Sequence, residues 1–149
     1  KSEAGRGRGF AYTLSFGAHT AQIIDVSLID DKIKIDKVYC AIDVGTAIDP
    51  RNIEAQVQSA IIYGLSSAIS GEITFADGQV VQSNFHDYPA LRINQVPDIE
   101  VVIMENNPRI TGVGEPGTPP SIPALANAIF AATGKRIREL PMNKQVSFA

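Results

Sequence analysis

Glu115 occupies the setting in this chain most suited to chemistry, in the stretch Gly112-Val113-Gly114-Glu115-Pro116-Gly117-Thr118-Pro119-Pro120. A carboxylate between glycines and prolines sits in a tight, stiff loop, and an apolar pattern at helical spacing begins directly after it. An acid just ahead of a helix is favoured by the partial positive charge of the free N–H groups there, so it can be a solvated turn residue with no further role. The same arrangement holds a single carboxylate in one place, as a general base requires, provided its surroundings bring its pKa towards neutrality. The residues alone leave both roles open.

Gly112, Gly114 and Gly117 also match G-x-G-x-x-G, with Glu139 in the region where a ribose-binding acid would stand. That fingerprint needs a strand running into the first glycine and a helix packed on the third. Here Asn107-Pro108 precedes the stretch and Pro116, Pro119 and Pro120 interrupt it, which argues against a dinucleotide-binding domain. Cys40 is the one cysteine, too few for an internal disulfide, a zinc site or a thiolate-held cluster. His86, with Asp87 and Tyr88, could line a pocket, although a lone histidine beside aromatics is more often structural. Arg92 could touch a cofactor or partner, with a solvated surface role as the default.

The elements that must position these residues can be read from periodicity. Gly5-Arg6-Gly7-Arg8-Gly9 reads as a flexible lead-in, and Phe10, Tyr12, Leu14 and Phe16 alternate with Ala11, Thr13 and Ser15 as a strand. A second strand from Ala21 sets Ile24, Val26 and Leu28 on one face, and Asp30-Asp31 turns it into a third beginning at Lys32. In that third strand the apolar parity changes between Ile33/Ile35 and Val38/Cys40/Ile42, which predicts a bulge at Asp36-Lys37. Asp49-Pro50 starts a helix whose stripe is Ile53, Val57, Ala60, Ile61, Gly64, Leu65 and Ala68, ending near Gly71. Asn52, Gln56, Ser59 and Tyr63 form a flank of that helix able to face a cleft. Glu72 to Phe75 and Gln79 to Gln82 form a hairpin about Ala76-Asp77-Gly78, and Ile99 to Met104 is a further strand. Ile122, Leu125, Ala126, Ile129 and Phe130 mark a second helix halted by Gly134, and Arg136 to Leu140 reads as a final short strand. Hairpins with two separated helices predict an α+β fold, a mixed or antiparallel sheet with two main helices packed on it. No internal repeat or domain boundary interrupts residues 1–149, which read as a single domain.

At 149 residues, 44% apolar and 19% charged, the chain can bury a real core, roughly two-thirds of its unfolded surface. A net charge of −3 with interspersed signs, apart from a small basic cluster at the start, gives no footprint for nucleic acid. No apolar run approaches the ~20 residues of a membrane-spanning helix, and Lys1 to Phe10 lack the apolar stretch of a secretory signal. With Lys rather than Met at position 1, the chain is expected to be a segment of a longer polypeptide.

Gly112-Val113-Gly114-Glu115-Pro116-Gly117, then Pro119-Pro120 and Pro123-Ala124-Leu125-Ala126-Asn127-Ala128-Ile129, resembles the active-site loop and helix of the xanthine oxidase and aldehyde oxidoreductase family of molybdenum hydroxylases. Val44-Gly45, Ile48-Asp49-Pro50 and Ile53-Glu54-Ala55-Gln56 resemble the family segment in which a glutamine holds the molybdopterin. Gln82 to Pro89, Leu91-Arg92, Gly5 to Gly9 and Ala131 to Arg136 are most similar to the isoquinoline 1-oxidoreductase type of large subunit, where the chain would be the C-terminal part. Ser59-Ala60 departs from the small glycine pairs that many relatives carry after the glutamine.

The resemblance implies oxidative hydroxylation of an N-heterocycle or aldehyde, with water as the oxygen source and Glu115 as general base. It implies Gln56 and Gly114 as cofactor contacts, and no direct metal ligand on this chain, Glu115 standing beside the molybdenum. The implied cofactor is molybdenum-molybdopterin, in the cytosine dinucleotide form, with iron-sulfur clusters on a separate small subunit. The remainder of the large subunit, that small subunit and a small-molecule substrate are the implied partners. A fragment of this size is expected to be inactive alone. The competing expectation is a non-catalytic binding or assembly module that keeps the fold without the chemistry.

Overall fold

The computed structural model describes residues 4–149; Lys1, part of the basic cluster at the start, lies outside them. Three long antiparallel strands, β1 (Arg6–Ser15), β2 (Ala18–Ile29) and β3 (Lys32–Asp43), are followed by α1 (Pro50–Ser70). A small hairpin, β4 (Phe75–Ala76) with β5 (Gln79–Val80), precedes β6 (Asp98–Met104) and α2 (Thr118–Thr133). The main sheet has the order β1-β2-β3-β6, with β6 parallel to β3 through the α1 crossover. The fold is therefore α+β, as the pattern predicts.

Local chemistry explains the joints. Asp30 and Asp31 both take positive φ, 49° and 59°, the backbone of the tight turn that matches strand twist. Back along the hairpin from that turn the register shifts between Asp25 and Val26, so Asp36 is left over on β3 at the expected bulge, where it accepts from Ser27 Oγ at 3.0 Å. Asp49 caps α1 by accepting from Asn52 N at 3.3 Å, and Pro50 occupies the first turn. All seven residues of the predicted α1 stripe are buried.

Both helices cover one face of the sheet. The core is built from Ile24, Val26, Val38, Ile42, Val57, Ile61, Leu65, Leu125 and Ile129. Cys40 is buried among them, and that burial pushes its thiol pKa up to about 12, with a contact from Gln22 working the other way. Among the described residues none covers the other face of the sheet, which exposes Phe10, Tyr12, Leu14, Val102 and Met104.

Three expectations need correction. The glycine-rich start is not a lead-in, because β1 begins at Arg6 and Gly7 and Gly9 lie directly under α2. A Cβ on Gly9 would stand 2.0 Å from the Ala124 carbonyl oxygen, and one on Gly7 2.1 Å from that of Ala128. This close seat also rotates α2 by about one residue: its buried face is Ser121, Ala124, Leu125, Ala128 and Ile129, leaving Phe130 exposed and Ile122 and Ala126 partly so. Small alanines, not the largest apolar residues, meet the glycine strand. Finally, Arg136 to Leu140 forms no strand. The chain runs on through a 3-10 turn at Met142–Lys144, and strand-like pairing comes later, where Ile33 N donates to Ser147 O and Ala149 N to Ile33 O.

Candidate active site

The site forms where the exposed flank of α1 meets the loop leading into α2. On α1, Asn52, Gln56, Ser59 and Tyr63 all reach solvent, as the helical wheel predicts. The loop after β6 is held at its start by Asp43, whose Oδ1 accepts from Asn106 N and Asn107 N, both at 2.9 Å, and from Gly45 N at 3.3 Å. Burial works against the Asp43 charge, but the N–H groups of Asn107, Gly45 and Asn106 outweigh it and hold its pKa below the usual carboxylate range.

The far end of the loop is held by β2, by α1 and by a turn of its own. Gln22, core-facing on β2 and 1% exposed, donates from Nε2 to Gly117 O at 2.7 Å. Thr118 Oγ1 donates to Ala60 O of α1 at 2.9 Å, and Thr118 N closes a turn on Glu115 O at 2.9 Å. Gly117 lies so near α1 that a Cβ there would stand 3.0 Å from Ala60 Cβ and 3.1 Å from Val57 O. Pro116 and Gly117 are buried while Glu115 points to solvent. The acid is thus exposed on a backbone whose next residues are fixed on both sides.

Of the residues singled out by sequence, Gln56, Gly114 and Glu115 are brought together. A Cβ placed on Gly114 would stand 3.7 Å from Gln56 Nε2. Glu115 shares with Gly114 an open cleft of about 360 Å³, walled by Phe16, Ser59, Ala60, Tyr63, Thr118 and Pro119. Among the described residues neither the Gln56 carboxamide nor the Glu115 carboxylate has a side-chain partner. Two larger clefts, of about 590 and 680 Å³, lie along the C-terminal segment and contain neither residue.

His86, Asp87, Tyr88 and Arg92 are not brought to this place. Tyr88 approaches Gly71 beyond the C-terminal end of α1, roughly 22 Å along the helix axis from the level of Gln56. Asp87 shapes its own turn, accepting from Ser83 N at 2.8 Å and Asn84 N at 3.0 Å; these N–H groups lower its pKa. His86 is exposed beside it, and Arg92 N donates to Gln95 Oε1 at 3.0 Å within a surface turn.

Gln22 is the residue that sequence reading passes over. Its signal was available: it shares strand parity with Ile24 and Val26, so a polar amide faces the core. Thr20, of the same parity, is fully buried too, so β2 carries two buried polar side chains at the end of the sheet. The apposed glycines do not support the dinucleotide reading, since no strand runs into Gly112.

Comparison with known proteins adds the context. Residues 1–97 match the family model described as the molybdopterin cofactor-binding domain. The chain is 39% identical to the beta subunit of isoquinoline 1-oxidoreductase from Brevundimonas diminuta, over 95% of this chain and 19% of that protein. It is 31% identical to a nicotinate dehydrogenase subunit of Pseudomonas putida, over 94% of this chain and 13% of the relative. The fold superposes on the crystal structure of the aldehyde oxidoreductase of Desulfovibrio desulfuricans with a TM-score of 0.71 and 26% identity, covering 83% of this chain and 14% of that one. The chain therefore spans about a fifth or less of the length of these proteins.

Proposed function

We infer the function from the family: the chain belongs to the molybdopterin cofactor-binding domains of molybdenum oxidoreductase large subunits. On that premise it is a single-domain, C-terminal segment of a molybdenum hydroxylase that oxidises an N-heterocyclic aromatic compound or an aldehyde. The observation that carries this reading is the meeting of Gln56 with Gly114 and, next in the chain, Glu115.

The residues suit the cofactor. Gln56 offers a carboxamide with no competing partner among the described residues, able to donate and to accept, and Gly114 leaves backbone uncovered beside it. Together they would hold part of the pterin; when bound, the molybdenum group accepts two electrons from the substrate carbon. In the overall change a C–H bond becomes C–OH, the oxygen comes from water, and two electrons and two protons leave. Glu115 takes up one of those protons on a carboxylate oxygen as the water-derived oxygen attacks the carbon. Its loop favours this task because a base fixed in position loses little orientational freedom on reaching the transition state. Iron-sulfur clusters on a separate small subunit would supply the onward path for the electrons, and the cofactor would be of the cytosine dinucleotide form. The uncovered sheet face, with Phe10, Tyr12 and Leu14, is where the remainder of the large subunit packs, which fits relatives many times the length of this chain.

The decisive experiment is Glu115→Gln in the complete, metal-loaded enzyme. It should lower kcat by about 10²-fold or more, the usual contribution of a general base, with molybdenum and pterin content unchanged. Retained turnover would remove Glu115 from the mechanism, and absence of turnover in the unsubstituted, metal-loaded protein would favour a non-catalytic module.

A further inference from the structure

We propose that ordered water is enclosed between the β1–β2 hairpin and the Glu115 loop, bridging Thr13, Ser15, Thr20, Gln22 and Thr111, and that Thr20 is through it a positioning residue for the loop. The effect on turnover rests on the proposed base role of Glu115; the hydration itself does not.

The ground for it is a group of buried polar atoms without partners. Thr13 Oγ1, Ser15 Oγ, Thr20 Oγ1, Gln22 Oε1 and Thr111 Oγ1 are shielded from solvent and make no hydrogen bond among the described residues. Thr20 is fully buried and Gln22 is 1% exposed. Buried polar groups in folded proteins nearly always have a partner, so a cluster of them left over calls for one.

The fold gathers these atoms. Thr13 and Thr20 are direct cross-strand partners, Ser15 follows Thr13 by two residues on β1, and Gln22 follows Thr20 by two on β2. All four share the face of the sheet opposite to Tyr12, Leu14 and His19. Direct neighbours of this kind have Cβ atoms about 5 Å apart, a spacing that a bridging water fits. Thr111 adds the loop side: its N donates to Val44 O at 3.1 Å, and a Cβ on Gly17 would stand 3.4 Å from its methyl group. α2 crosses β1 with Ala128 on Gly7 and Ala124 on Gly9, four helix residues for two strand residues. Continued in that direction, the spacing sets the start of α2 over Ala11 and brings the buried pair Pro116 and Gly117 next to Thr13 and Thr20. The segment carrying Glu115 is thus tied at Thr111 and at Gly117 to one hydrated patch.

Water is the occupant that the chemistry favours. The free atoms are all oxygens: four are hydroxyls able to donate and accept, while the Gln22 amide nitrogen serves Gly117 O and leaves its oxygen to accept. Water donates and accepts in the same way and commonly satisfies several buried polar groups at once. A cation would find no charge among these groups to offset its desolvation.

The test uses the complete, metal-loaded enzyme. Its crystal structure should show ordered water within about 2.7–3.2 Å of Thr20 Oγ1 and Gln22 Oε1. A side chain from elsewhere in the large chain bonded to these atoms would overturn the proposal. Thr20→Val keeps the shape and removes the hydroxyl. The urea midpoint should drop and kcat should fall about two- to tenfold, with KM and molybdenum content unchanged, and Thr20→Ser should restore both. A midpoint that rises in Thr20→Val would mean that the hydroxyl has no partner at all, and would overturn the water site. Unchanged kcat beside a lowered midpoint would overturn the positioning role. Turnover surviving Glu115→Gln would sink the base reading instead and leave the crystallographic and urea results as they stand.

Discussion

Gln22 Nε2 lies 2.7 Å from Gly117 O, a hydrogen bond that joins the buried face of β2 to the residue two places after Glu115. A side chain in the core thus governs the height at which a solvent-facing acid is carried. Replacing Gln22 with Met keeps the volume and removes the donor. Urea unfolding of the complete large chain should show a loss of about 1–3 kcal/mol, the cost of leaving a buried carbonyl unpaired. Because Glu115 itself is untouched, kcat should fall with it while metal content stays constant; unchanged kcat would mean the loop keeps its position unaided.

The seat of α2 on β1 gives a second expectation. Gly9→Ala places a methyl group 2.0 Å from the Ala124 carbonyl oxygen, a contact with backbone that no rotamer can relieve. Thermal unfolding should report a loss of about 1–3 kcal/mol or more. Gly112→Ala is the control for stability, since nothing lies within 4 Å of its added methyl. Similar losses for both would show that α2 is free to lift from the strand.

Asp43 predicts a pH dependence. Its folded pKa is depressed by the N–H groups of Asn107, Gly45 and Asn106 against the opposing effect of burial. A depressed carboxylate adds stability above its unfolded pKa of about 3.9 and loses it as pH falls through the folded value. Stability should therefore decline as the pH drops below about 4, and Asp43→Asn should flatten that decline. An identical acid limb in the variant would exclude Asp43 as its source.

Gln56→Ala tests the cofactor contact. The side chain is exposed and has no partner among the described residues, so unfolding should shift by no more than about 0.5 kcal/mol. Pterin and molybdenum occupancy under limiting cofactor should fall about two- to tenfold, the worth of one lost hydrogen bond. Full occupancy would place the cofactor elsewhere.

Strands and helices were legible wherever apolar residues kept a clear period, as in α1, whose stripe matches the buried residues, and at Asp36, where a parity change marks the bulge. Periodicity does not say which face is buried when both are apolar. In β1 the large residues Phe10, Tyr12 and Leu14 face outward and the glycines inward, because an apposed helix backbone demands no side chain there. The same demand turned α2 on to Ala124 and Ala128, whose small size carries little weight in a hydrophobic pattern. At the site, Gln56, Gly114 and Glu115 were legible as a motif, but Gln22 was not. Its role arises from a contact across the fold, with Gly117.

The bonds that fix the Glu115 loop close over long stretches of chain: Gln22 to Gly117 spans 95 residues and Thr118 to Ala60 spans 58. Loops of that length form late, since their closure entropy must be met before the contact gives anything back. The carboxylate is therefore among the last features to reach its place as the chain folds, and among the first to lose it when α2 opens locally. A chain caught part-way, with its three-stranded meander made and α2 undocked, would have its strands and no site.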